Sequence, residues 1–348
     1  MARFRPLKAS QYQRKDDPVR LIAEAGQKKL AASIAAAFRH LRKTISKEQV
    51  ADRIRARDYR GAGAQELERF RDGLQHPFAQ IAAIYRASGE RVAQRLTRQL
   101  RHVRSVRKDT TPSGGPGGVY AFDLYTPEVV DELSDYQDAF ITALTDDQRQ
   151  AVLDAIVSGV QAGESADDIA ADIVTNIGLT DRQAQAVANL ATMLANGDSA
   201  ALTRSLLDDP DVALIQDALD AGQTLSDVTI DDIVSNYADN MLDYRADMIA
   251  QTESVRASNL GLQDAYGQAI DRGVFPADAV KKFWLTALDE RVCPICRPIP
   301  ARHKDGIDVN GAFETSAGQI EYPPAHPNCH CSIQMVTDLD QLDNQEAA

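Results

Sequence analysis

All four cysteines of this 348-residue chain lie between Cys293 and Cys331. Cys293-Pro-Ile-Cys296 has the two-residue spacing of a zinc knuckle, in which a tight turn aims two thiolates at one ion. About thirty residues later, His326-Pro-Asn-Cys329-His330-Cys331 supplies a second cluster. Thiolates and imidazoles together suit zinc, which takes four ligands in a closed structural site. Five residues are candidates: Cys293, Cys296, His326, Cys329 and Cys331, four of which are expected to serve. Cys293 and Cys296 anchor the site. The other half is His326 with Cys329, His326 with Cys331, or both thiolates. The three-residue offset from His326 to Cys329 mirrors that of the knuckle and favours one thiolate plus His326. Reduced cysteines packed in a small core are the alternative. A disulfide framework would spread its cysteines along the chain to close loops, and this one does not.

The same residues do not follow the catalytic zinc patterns of deaminases or of His-Glu-x-x-His proteases. A zinc deaminase needs His-x-Glu and Pro-Cys-x-x-Cys; here the proline lies inside the pair, and His-x-Glu does not occur. Nor does His-Glu-x-x-His. An HNH-like nuclease, or another zinc-dependent nucleic-acid-processing enzyme, remains as the alternative, with His303 or His330 as general base. No phosphate-binding loop, GxGxxG or GxSxG stretch is present. No catalytic residue is assigned, and a non-enzymatic role is expected.

The elements that position these ligands follow from composition and periodicity. Residues 273–337 read as a small α+β module with short strands around loops. Six prolines between Pro294 and Pro327 leave it little apolar core, so metal ligation would supply folding energy that burial cannot. Trp284, its largest apolar group, is expected to pack beside the knuckle. Upstream, the pattern is mainly α. Helices are expected over 18–45 and 76–107, the second with Ile81, Ile84, Val92, Leu96, Leu100 and Val103 on one stripe. Residues 126–220 read as short helices, with start signals at Thr126-Pro127, Thr145–Gln148, Ser165–Asp168 and Thr180–Gln183. A longer helix is expected from 230 to 271, with a break near Gly261.

Charge divides the chain further. Residues 1–108 carry net +16, residues 109–250 net −23 and residues 251–348 net −6. Thr110 to Gly118 holds two prolines and four glycines and reads as a linker. The expected organisation is a basic helical arm (1–108, its first 17 residues polar and mobile), a Gly/Pro linker (109–125), an acidic helical domain (126–272), the Cys/His module (273–337) and a disordered tail (338–348). A basic arm of this density would attract double-stranded DNA. Alternatively, it pairs with the acidic middle of the same or a neighbouring chain. No apolar run reaches the length of a membrane span.

From about Ile177 to Met335, the chain resembles the Mu F-like minor head proteins, also called phage head morphogenesis proteins. The resemblance is carried by Gly178-Leu179-Thr180-Asp181-Arg182-Gln183-Ala184, by Arg245 and Ile249-Ala250-Gln251-Thr252-Glu253, and by Asn259 and Gly261. It continues through Trp284, Thr286, Asp289, Arg291 and Val292 into Cys293 and Cys296, and ends on Tyr322-Pro-Pro-Ala-His326-Pro-Asn-Cys329-His330-Cys331. Two positions depart from the family pattern. Gln251 stands where Arg is common, and His330 where Arg is usual.

The resemblance implies a structural minor capsid protein of a tailed phage, acting at the portal vertex in head assembly. Its implied partners are the portal and major capsid proteins, with several copies per virion. Its implied location is the virion, and the host cytoplasm during assembly. It also implies that Thr252 and Glu253 order the long helix against the zinc module.

Overall fold

The computed structural model describes residues 18–107, 120–286 and 292–337. The segment 1–17, most of the Gly/Pro linker, Asp289, Arg291 and the tail 338–348 lie outside them. Ten α-helices and four short strands follow in order among the described residues: α1 (Pro18–Thr44), α2 (Lys47–Arg55), α3 (Ala64–Gly73), α4 (Gln75–Arg107), α5 (Pro127–Ala162), α6 (Ala166–Asn176), α7 (Asp181–Ala195), α8 (Asp209–Asp220), α9 (Asp227–Asp271), β1 (Val280–Leu285), α10 (Ile299–Arg302), β2 (Phe313–Thr315), β3 (Gly318–Ile320) and β4 (Ser332–Thr337). The chain is mainly α, as its periodicity implies. No described helix is long and apolar enough to cross a membrane.

Two compact units form, and neither is a continuous stretch. Unit 1 takes residues 1–30, 79–135 and 248–348; unit 2 takes 31–78 and 136–247. Helices α1, α4, α5 and α9 each give residues to both. Linear charge segments do not show this division, because long helices carry one charge texture while their two halves enter different cores. Residues 120–123, expected within the linker, are packed in unit 1. Tyr120 is buried and donates its hydroxyl to the Ala265 carbonyl at 2.6 Å. Asp123 accepts from Arg272, and its amide donates to Gln268.

In unit 2, aromatic contacts such as Phe38–Phe70 and Phe78–Phe140 mark the core. Several basic side chains of its first segment face acids of its second. Arg42 meets Asp239 at 2.5 Å, Arg55 meets Asp167 at 2.5 Å, and Arg39 meets Asp243. Part of the charge asymmetry is thus neutralised within the chain. On α4, Arg91 and Arg98 stay exposed.

Residues Pro127–Ala162 form one helix of 36 residues, not two shorter ones. Thr145 therefore caps nothing: its hydroxyl donates to the Ile141 carbonyl one turn back. Gln148 is buried and accepts from the Gly178 amide at 2.7 Å. The other start signals hold. Thr126 accepts from the Val129 amide, Ser165 from the Asp168 amide, and Thr180 forms a full capping box with Gln183.

Helix α9 runs unbroken for 45 residues through Gly261. The glycine is there for proximity. A Cβ at that position would lie 2.3 Å from the Tyr85 carbonyl oxygen of α4, so only glycine lets the two backbones cross in unit 1. Close by, Ser88 donates its hydroxyl to the Ser258 carbonyl at 2.6 Å.

Candidate metal centre

The ends of the C-terminal module are tied by an antiparallel pair, β1 with β4, in which Trp284 faces Ile333 and Val280 faces Thr337. Knuckle residue Cys293 follows β1, and Cys329 and Cys331 precede β4. Pairing these strands therefore brings together two sequence clusters about thirty residues apart. Between them, β2 and β3 form a short hairpin with Phe313 opposite Ile320. Trp284 packs edge-on against Phe313 at 5.3 Å, both buried in a core that includes Cys296, Cys329 and Cys331. Trp284 thus sits where expected, beside the cysteines.

All five expected donors converge. They form two triads that share Cys296: Cys293, Cys296 and His326, and Cys296, Cys329 and Cys331. Donor atoms within each triad lie within 4.8 Å of one another. His326 Nε2 is 2.9 Å from the Cys293 sulfur and 3.4 Å from that of Cys296, while the Cys296 and Cys329 sulfurs are 3.9 Å apart. Two thiolates on one tetrahedral ion, each bonded at about 2.3 Å, stand about 3.8 Å apart. The cluster therefore has the dimensions to hold a metal ion.

The surroundings suit ligation as well. The Cys296 amide donates to the Cys293 sulfur at 3.3 Å, the contact of a knuckle turn. His326 Nδ1 lies 2.8 Å from the Pro327 carbonyl, which requires the proton on Nδ1 and leaves the Nε2 lone pair facing the sulfurs. Asn328 takes a left-handed conformation at φ 58°, which turns the chain between His326 and Cys329. Among the buried thiols, hydrogen bonds from Cys296 and then Cys331 pull Cys329 down to about 2. The same bond to Cys329 pushes Cys296 up. Cys331 is drawn down by Cys296, but Cys329 and burial outweigh this and leave it at about 12.

Helix α9 places the second cluster. Successive polar residues on one of its faces bind the backbone that carries the donors. Gln251 Nε2 donates to the Cys329 carbonyl at 3.2 Å, Thr252 Oγ1 accepts from the Asn328 amide at 2.9 Å, and Asn259 Oδ1 accepts from the Ile333 amide at 2.8 Å. Thr252 thus makes the contact that the resemblance implies. Glu253 pairs with Arg256 on the same helix at 3.2 Å. Gln251, a departure from the family pattern, has lost a charge but buries an amide that braces Cys329. Its position four residues before Val255, on a face that stays buried to Leu262, was the available signal.

The two histidines offered as general bases stand outside both triads. His303 Nε2 accepts from the Glu314 amide at 3.0 Å and its ring packs edge-on against Phe313. Its lone pair is used in holding β2. His330 lines a cavity of about 10 Å³ with Val19, Gln251 and Ser332, room for about one water.

Residues 213–334 match the family described as Phage Mu protein F like protein. Over these residues, about a third of the chain, the sequence is similar to the Mu F-like family. The Mu F-like segment begins in α8 and ends in β4, so it includes the face of α9 that bears Gln251, Thr252 and Asn259, and all five donors. It supports a phage head morphogenesis protein. No curated protein and no solved structure matches the chain. Residues of the resemblance upstream of 213 also meet this segment within unit 2. Arg245 donates to the Gly178 carbonyl at 2.6 Å, pairs with Asp147, and lies over the Phe38 ring.

Proposed function

We propose that this protein is a structural minor head protein of a tailed phage, acting at the portal vertex during head assembly. The observation that carries the proposal is that the Mu F-like segment coincides with α9 and the donor cluster bound to it. Under this reading, Cys293, Cys296, His326 and Cys329 hold one zinc ion. Cys331 stays outside the coordination sphere, with the buried Trp284 indole N–H facing its sulfur. The zinc is structural and staples a module whose loops have few hydrogen-bonded strands. The protein works without catalysis, in several copies per virion, against portal and major capsid proteins.

The exposed arginines of α4 supply a DNA contact, for which a steep loss of affinity with salt is expected as counterions are released. Binding to duplex DNA that is flat with salt, or absent, would remove that part. Quantitative mass spectrometry of purified particles tests the whole reading. A few copies per particle, in DNA-filled heads and empty procapsids alike, is the expected result. Absence from both would overturn it.

A further inference from the structure

A second cluster of ionisable groups lies in unit 1, apart from the cysteines. Tyr85 of α4 is fully buried and donates its hydroxyl to Asp264 Oδ2 of α9 at 2.6 Å. The Asp264 carboxyl is also hydrogen-bonded to that of Glu132, in the second turn of α5. Two carboxyls can bond to each other only if one of them keeps a proton.

We propose that Glu132 and Asp264 share a single proton in the folded protein, and that this proton fastens the first turns of α5 into unit 1, so that alkaline conditions release residues 127–135.

The groups around the pair favour the proton. From the loop after β3, Glu321 faces both carboxyls with a third negative charge. Tyr322 of the same loop adds a buried hydroxyl, and burial together with the charges of Glu132 and Asp264 holds it in the protonated form. The nearby cations act one step away. Lys282 of β1 faces Glu321, and its ammonium donates to Gln263 Oε1 at 2.7 Å. Gln263 in turn donates to Glu321 at 3.4 Å. Arg256 of α9 faces Tyr322. Burial first, then the charge of Asp264, lifts Glu132 to about 8. Burial also raises Asp264, against the opposing bonds from Tyr85 and Glu132.

The mechanical consequence follows from position. In the first turns of α5, Val129 is buried and Val130 half-exposed, and Tyr125 just before the helix is exposed. The carboxyl bond is thus a principal polar tie of that segment to α9. Loss of its proton puts two carboxylates in contact beside Glu321, and like charges at that distance repel.

Hydrogen exchange on the full chain tests this, following residues 127–135 from about pH 6 to about pH 9 with intrinsic exchange subtracted. With Glu132 raised from an ordinary value of 4.5 to about 8, the folded state binds the extra proton only between those values, so protection in the wild type is expected to fall roughly tenfold per pH unit up to about pH 8 and to level off above it. Glu132→Gln, whose amide keeps a donor without a charge, is expected to hold its protection throughout. Infrared spectroscopy at neutral pH provides an independent readout: a protonated-carboxyl band in the wild type that is missing in Glu132→Gln. Wild-type protection that is unchanged to about pH 9, or no protonated carboxyl at neutral pH, would overturn the proposal.

Discussion

The Asn328 amide donates to the Thr252 hydroxyl at 2.9 Å, joining the turn between His326 and Cys329 to the middle of α9. Asn328 sits in a left-handed conformation at this point, so its backbone needs a partner to keep that geometry. Thr252 therefore acts on the metal site through the loop that carries it. Thr252→Val keeps the shape and removes the acceptor. It is expected to cost about 1–2 kcal/mol in chemical denaturation and to weaken zinc roughly tenfold in chelator competition. Glu253→Ala, which removes the pairing with Arg256 along the same helix, is expected to leave zinc affinity unchanged.

The four-ligand assignment separates two neighbouring thiols. Cys329→Ser is expected to abolish stoichiometric zinc binding and expose the module to protease. Cys331→Ser is expected to retain the metal, because the proposed ligand set is Cys293, Cys296, His326 and Cys329. Equal zinc loss in the two variants, measured by elemental analysis, would reverse the assignment.

Lys282 makes a pH prediction of definite sign. It is fully buried, and burial lowers its pKa to about 8, with Glu321 opposing. In the unfolded chain it keeps its ordinary value near 10.5. Below about pH 8 the ammonium is charged in both states, and the folded state carries the full cost of burying it. Between about pH 8 and about pH 10.5, the unfolded state binds more protons, so this group's contribution to stability improves as pH rises. Lys282→Met removes the cost. Its melting temperature relative to the wild type is expected to be highest near neutral pH and to shrink toward pH 10.5, as read by calorimetry.

Gly261→Ala isolates packing from ligation. The added methyl would press on the Tyr85 carbonyl of α4, and backbone cannot rotate away as a side chain can. A loss of about 1–3 kcal/mol is expected, with zinc content unchanged.

Local chemistry was legible in the sequence, and tertiary burial was not. Thr180–Gln183 and Thr145–Gln148 show the same start signal, yet only the first begins a helix. At Thr145 the flanking Ile141, Leu144 and Val152 are buried along one continuous face, and Gln148 is drawn inward to the Gly178 amide. Burial there outweighs a cap worth about 1 kcal/mol. Gly261 read as a break because glycine weakens a helix; its reason lies in α4, which sequence spacing does not place nearby. The Cys/His cluster was legible because knuckle spacing is itself local geometry. Which donors complete it depends on β1 pairing with β4 and on Gln251 and Thr252 reaching the loop. The Glu132–Asp264–Tyr85 cluster left no sequence signal, since its members come from three helices far apart in the chain.

The most direct test of the metal-stapled module is the zinc content of the full-length protein, purified without chelator under reducing conditions and measured by inductively coupled plasma mass spectrometry. One zinc per chain is predicted, falling to background in Cys293→Ser, Cys296→Ser. A wild-type chain that holds no metal and keeps the same protease resistance of residues 273–337 as that double variant would contradict the account.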